Sequence, residues 1–193
     1  MHPRLEELSN LLDTHRATLR AAVDSVPTSL RGTRPDTDRW SVAEVLEHLG
    51  IVEQRVTHTL GTQLTAAKAA GLGPETEMTS VLESFDVGRL LDRSKRFMSG
   101  EASRPKGALD AAEAWDALER SRTGLRTLIA EADGFALGGI TLPHPAFGPL
   151  DMYQWIAFLA GHDARHADQI REVGAALLRD GRAPYGGAGF SRP

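Results

Sequence analysis

Between Met152 and Leu177, the residues Met152, Trp155, Leu159, His162, His166, Gln169 or Ile170, Val173 and Leu177 recur at three- and four-residue steps. That period gives a long helix one apolar face, interrupted only by two histidines. A helix of this kind must bury its stripe against other helices, which directs the chain toward a bundle. The interruption is chemically pointed. Residues four apart on a helix are offset by about 40° beyond one turn and rise about 6 Å, so the imidazoles of His162 and His166 share a face and can reach one cation.

Three more segments carry the helical period. Leu5, Leu8, Leu12, His15, Leu19 and Ala22 mark the first, opened by Pro3 and ended by Pro27. The second starts at Ser41 with Glu44 three residues on, a capping-box signature, and runs through Val45, Leu49, Val52, Val56, Leu60 and Leu64 to Gly71. The third begins at Asp110 with Glu113 in the same relation and runs through Trp115, Leu118, Leu125, Leu128 and Ile129 to Gly134. Residues 72–109 show only scattered apolar positions, Val81, Leu82, Phe85, Leu90, Leu91 and Phe97, consistent with a short helix or two. A proline-rich connection, Leu142 to Pro149, delivers the chain into the last helix, and no alternating stretch argues for a sheet. The expected architecture is all-α, an antiparallel or mixed four-helix bundle in one domain over residues 1–180. The Gly- and Pro-rich residues 181–193 form a flexible tail.

Composition removes whole classes of function. The 193 residues include no cysteine, so thiolate metal sites, disulfide scaffolds and cysteine nucleophiles are excluded, and a metal must be held by histidine and carboxylate. A net charge of −4, with no basic block, argues against nucleic acid as a partner. The longest apolar run, near Trp155 to Ala160, is far short of the roughly 20 residues a membrane span needs, and the first residues lack a signal-peptide core. A cytoplasmic protein with a small-molecule substrate and no membrane partner is the expectation.

Two imidazoles supply half of a tetrahedral set, so a third ligand is sought on another helix. His48, at the edge of the second helix's stripe, is the leading candidate, and His15 on the first helix is its rival. His58 is displaced by about 80° and some 15 Å from His48, which makes it a surface residue. His144 reads as a turn histidine near an entrance. Glu44, Glu47, Asp163 and Asp168 are near enough in sequence to orient ligating imidazoles, although each also reads as a solvated helix charge. Three neutral imidazoles leave a dication with its full charge and an open position, an arrangement suited to catalysis.

The stretches Trp40-Ser41 through His48-Leu49, His144-Pro145-Ala146-Phe147-Gly148-Pro149-Leu150, and Tyr153-Gln154-Trp155 through His162-Asp163-Ala164-Arg165-His166 to Ile170 together resemble the DinB-like (YfiT-like) superfamily of metal-dependent hydrolases and thiol transferases. The resemblance implies a four-helix bundle with up-down-down-up connectivity. It also implies a dication held by His48, His162 and His166, choosing His48 over His15, and often a homodimer. By analogy alone it implies chemistry with a low-molecular-weight thiol.

The favoured function is therefore a metal-dependent enzyme, a hydrolase or thiol S-transferase, whose three-His centre activates water or a small thiol. Zinc and nickel lead the metals and iron and manganese follow. No catalytic base is assignable. The alternative is a non-catalytic metal-stabilised or ligand-binding bundle. A lesser reading takes His162-Asp163-x-x-His166 as a shortened zincin helix with Asp163 as base, and a di-iron bundle is set aside because no Glu-x-x-His pair occurs.

Overall fold

The computed structural model describes residues 1–92, 94 and 100–179; the segment expected to be a flexible tail, 181–193, lies outside them. Five helices, α1 (Pro3–Asp24), α2 (Val42–Ala69), α3 (Val87–Leu91), α4 (Ala111–Ala132) and α5 (Met152–Arg179), are joined by single 3-10 turns and loops. The four long ones match the four periodic segments of the sequence. Both expected capping boxes form: Glu44 N–H donates to the Ser41 hydroxyl at 3.2 Å while Ser41 N–H donates to the Glu44 carboxylate at 2.9 Å, and Asp110 with Glu113 repeats the exchange. Such caps satisfy helix-end N–H groups that otherwise lack partners, typically for about 1 kcal/mol each. Among the described residues no helix is long and apolar enough to cross a membrane.

Side-chain pairing fixes the connectivity. Along α1 and α5, Arg4 lies against Tyr153, Arg16 binds Asp163, and Val26 just past α1 meets Gly174, so the pairs advance together and the two helices run parallel. Along α2 and α4, Gly50 faces Leu118, Glu53 binds Arg122 and Gly61 faces Leu128, which is parallel again. The α1–α2 connection is short and its helices are antiparallel: Leu5, Leu8 and Leu12 share one apolar cluster with Leu60 and Leu64, while Leu19 and Ala22 share the other with Val42, Val45 and Leu46. The order is up-down-down-up. Gly174 is required at its crossing, since a Cβ there would sit 2.7 Å from Val26 Cγ2.

Between the two apolar clusters lies a buried ionic layer to which each long helix contributes one residue: Arg16, Glu53, Arg122 and Asp163. Arg16 reaches Asp163 at 2.8 Å and Glu53 at 3.1 Å, and Arg122 reaches Glu53 at 2.7 Å and Asp163 at 3.0 Å. The expectation for α1 is corrected here: Arg16, not His15, occupies the core stripe, continuing the three- and four-residue steps between Leu12 and Leu19, and His15 is only half-buried.

A second correction concerns the proline-rich connection. It contains a β-hairpin, β1 (Thr141–His144) paired antiparallel with β2 (Gly148–Asp151), with Pro143 opposite Pro149. Strands of four residues, each carrying a proline, show no alternation long enough to read. The hairpin covers α5 near Trp155, whose indole N–H donates to the Leu142 carbonyl at 3.3 Å. Over residues 72–109, α3 packs on α5, and Glu47 accepts hydrogen bonds from Lys106 N–H at 3.1 Å and Gly107 N–H at 2.9 Å. The long crossover thus returns the chain to the α2 N-terminal end, which is what lets α4 run parallel to α2.

Candidate metal centre and its cavity

The α2 stripe carries His48 inward, and the α5 stripe carries His162 and His166 one turn apart. All three are buried, and one ligand nitrogen from each lies within 4.8 Å of the other two. The Nε2 atoms of His162 and His166 are 3.0 Å apart, and the His48 ring centroid is 5.2 Å from that of His162 and 5.0 Å from that of His166. Residues 48 and 162, 114 positions apart in sequence, therefore converge on one point.

Two of the rings have their tautomers set by neighbours. His48 Nδ1 lies 2.7 Å from the Ser103 carbonyl oxygen. A carbonyl only accepts, so Nδ1 carries the proton and Nε2 keeps its lone pair. His166 Nδ1 lies 2.7 Å from Gln169 Oε1, with the same consequence for its Nε2. Burial holds the His48 pKa below the ordinary imidazole value against the opposing Ser103 bond. It holds His162 well below that value, with the neighbouring His166, His48 and Arg165 acting in the same direction. The free Nε2 lone pairs of His48 and His166, with His162 held neutral beside them, form a donor set that fits a divalent cation.

The cluster opens into a cavity of about 1550 Å³. Phe158 stacks on His162 with ring centroids 5.2 Å apart and planes 22° from parallel, and His144 lies 4.5 Å from Phe158.

A sequence profile of the DinB superfamily matches residues 11–170, which takes in all three histidines, the whole of α2 and α4 and most of α1 and α5. The chain belongs to the DinB superfamily. It is 27% identical to the uncharacterized protein YuaE of Bacillus subtilis (strain 168) over 150 residues, 76% of this chain and 84% of that protein. The crystal structure of TT2238, a four-helix bundle protein, superposes with a TM-score of 0.56 at 20% identity, covering 87% of this chain and 98% of that one.

In this DinB-superfamily chain the four carboxylates considered as partners of the imidazoles do other work. Glu44 caps α2 and pairs with Arg34, and Glu47 holds the crossover. Asp163 belongs to the ionic layer, and Asp168 makes an exposed pair with Arg171. Only Asp168 is the solvated helix charge expected. The zincin reading falls with this, because the Asp163 carboxylate is held by Arg16 and Arg122. The groups that do orient the imidazoles are the Ser103 carbonyl and the Gln169 amide. Gln169 sits three residues after His166 and was readable from that spacing, whereas Ser103 lies 55 residues from His48 in a segment without pattern.

His15 takes no part in the cluster, and His58 is exposed as expected. His144 ends β1 and lines the cavity, where its Nδ1 accepts from Ala146 N–H at 3.1 Å and Phe147 N–H at 3.2 Å. Its proton therefore resides on Nε2. Burial lowers its pKa to about 4 from 6.5. Above pH 6.5 the ring is neutral folded and unfolded; as pH falls toward 4, the unfolded chain binds a proton that the folded chain excludes, so stability falls. His144→Asn keeps an acceptor for the same two amides and removes the titration. Thermal melts of chelator-treated protein between pH 7 and pH 4.5 are expected to show a shallower loss in H144N than in wild type, and superimposable slopes would contradict this account.

Proposed function

We propose that His48, His162 and His166 hold one divalent cation and that the protein is a metal-dependent hydrolase or thiol S-transferase acting on a small molecule. The reading rests on one observation above others: three buried imidazoles from α2 and α5 converge within 4.8 Å and line a large cavity. A divalent cation held by these three residues would supply the Lewis acidity needed to make water or a thiol nucleophilic near neutral pH. The protein's own contributions are orientation and exclusion of water. Ser103 and Gln169 fix the outer nitrogens of His48 and His166, Phe158 stacks on the His162 ring, and burial favours the neutral form of His48 and His162. Zinc, nickel, iron and manganese are all compatible with three nitrogen donors, with cellular supply deciding among them.

Elemental analysis of protein purified without an affinity tag tests the site. Wild type is expected to retain about one equivalent of a transition metal, following the rule of one ion per three-His centre. The H48A/H162A/H166A variant is expected to retain essentially none while its circular dichroism stays helical. Equal metal in both proteins, or none in wild type after exposure to each of the four ions, would overturn the assignment.

A further inference from the structure

The cavity walls differ in character on the two sides of the histidine cluster. Six arginines line the cavity, Arg34, Arg39, Arg55, Arg104, Arg165 and Arg179, against two acids, Asp38 and Glu172, in a chain whose net charge is −4. Arg34 is countered by Glu44, and Arg165 is built into the wall through bonds to the Leu90 and Asp92 carbonyls. Among the described residues no carboxylate pairs with Arg39, Arg55 or Arg104.

All three lie on segments that also position His48. Arg55 lies two turns along α2 on the same face and donates to the Ala102 carbonyl at 2.7 Å. Arg104 follows Ser103, whose carbonyl holds the His48 ring, and Arg39 precedes Trp40, whose ring centroid is 5.0 Å from that of His48. The opposite wall, around His162, is apolar and flat-faced: Phe158 lies parallel to the imidazole, Trp155 meets Phe158 edge-on at 5.5 Å, and Phe147 and Leu142 complete it.

We propose that this cavity binds a small molecule consisting of a carboxylate or phosphate joined to a flat apolar body. The anion faces Arg39, Arg55 and Arg104, and the body lies against Phe158 and Trp155. Guanidinium groups bind planar or tetrahedral oxyanions through paired charge-assisted hydrogen bonds, and three that line one cavity with no carboxylate partner among the described residues favour an anion there. Aromatic side chains add offset or edge contacts for a planar body. Such a ligand spans the two walls with its middle over the three imidazoles. The inference rests on the metal-centre reading only for where the reacting atom sits, since guanidinium groups and not imidazoles hold the anion.

The test compares 2-naphthoate with its uncharged isostere 2-naphthamide by calorimetric titration, using protein as purified and after chelator treatment. Naphthoate is expected to bind at least tenfold more tightly in both preparations. The R39Q/R55Q/R104Q variant, checked for helicity and metal content, is expected to reduce that preference below threefold while leaving naphthamide affinity unchanged. Equal affinities in wild type, or no binding of either probe, would overturn the inference. So would a preference that disappears on metal removal and survives in the arginine variant, because the anion would then sit on the ion; that result leaves the metal centre standing. Conversely, an arginine-dependent preference in protein that never acquires metal supports the anion site and removes the metal-centre reading.

Discussion

Arg122→Met is expected to lower the unfolding free energy by about 3–5 kcal/mol, the usual cost of stranding a buried charge. Arg122 donates to Glu53, Asp163 and the Leu12 carbonyl, and its removal leaves two carboxylates that are 2% and 1% exposed with Arg16 as their remaining counter-ion. Burial already pushes the Asp163 pKa up against the pull of both guanidiniums, so the loss of one falls on a carboxylate with little solvation to return to. Urea unfolding at pH 7 measures the effect. Arg126→Met, which breaks an exposed pair with Asp13, is the control and is expected to cost no more than about 1 kcal/mol. Adding Glu53→Gln to R122M should recover part of the loss by removing one of the uncompensated charges. A change under about 1 kcal/mol for R122M would show that water reaches the layer and that its members are solvated.

The layer's contribution is to register more than to net stability, because a buried ion network replaced whole by apolar side chains is often neutral. Each of its four residues finds its partners at one axial level. A helix displaced by one turn would set its arginine level with apolar residues of the other helices in the clusters above or below, such as Leu49, Leu60 and Leu159. In a bundle where α2 and α4 are separated by the long 70–110 crossover and α4 and α5 by a segment containing a hairpin, that constraint helps select one alignment of α4 against α2 and of α5 against α1. His162 adjoins Asp163, so the same alignment sets the level at which His162 meets His48.

The helices were legible in the sequence because apolar period, caps and terminating glycines agreed with one another, as at Ser41 with Glu44 and at Asp110 with Glu113. The ionic layer was not, although it left a trace. The α4 stripe skips from Leu118 to Leu125, and the place between them that an apolar residue should fill holds Arg122. Read as amphipathic surface, a lone arginine or glutamate on one helix says nothing; its meaning lies in matching charges at the same level of three other helices, and that level follows only from the packing. The histidines were legible for the opposite reason: the i,i+4 pair is local, and its partner His48 lies on a stripe strong enough to place. Ser103 and the hairpin escaped because their roles depend on contacts across 55 residues and on strands of four.

Phe158→Ala is expected to cost about 3–5 kcal/mol, the range for truncating a buried aromatic side chain. Phe158 is 6% exposed and touches the rings of His144, Phe147, Trp155 and His162. Its second effect concerns the centre itself. His48 and His166 are oriented through hydrogen bonds on their outer nitrogens, but among the described residues no acceptor meets His162 Nδ1, so the stack with Phe158 is what fixes that ring. Phe158→Leu separates the two effects. It keeps an apolar side chain and should cost no more than about 1.5 kcal/mol, while giving up the flat face that holds the imidazole. Competition with a chelator is then expected to show metal affinity reduced by about tenfold or more in F158L, the scale seen when a group orienting a ligand is lost. Unfolding curves should remain close to wild type. Unchanged affinity in F158L would mean that the α5 backbone alone orients His162, and that the aromatic wall serves the cavity without serving the ion.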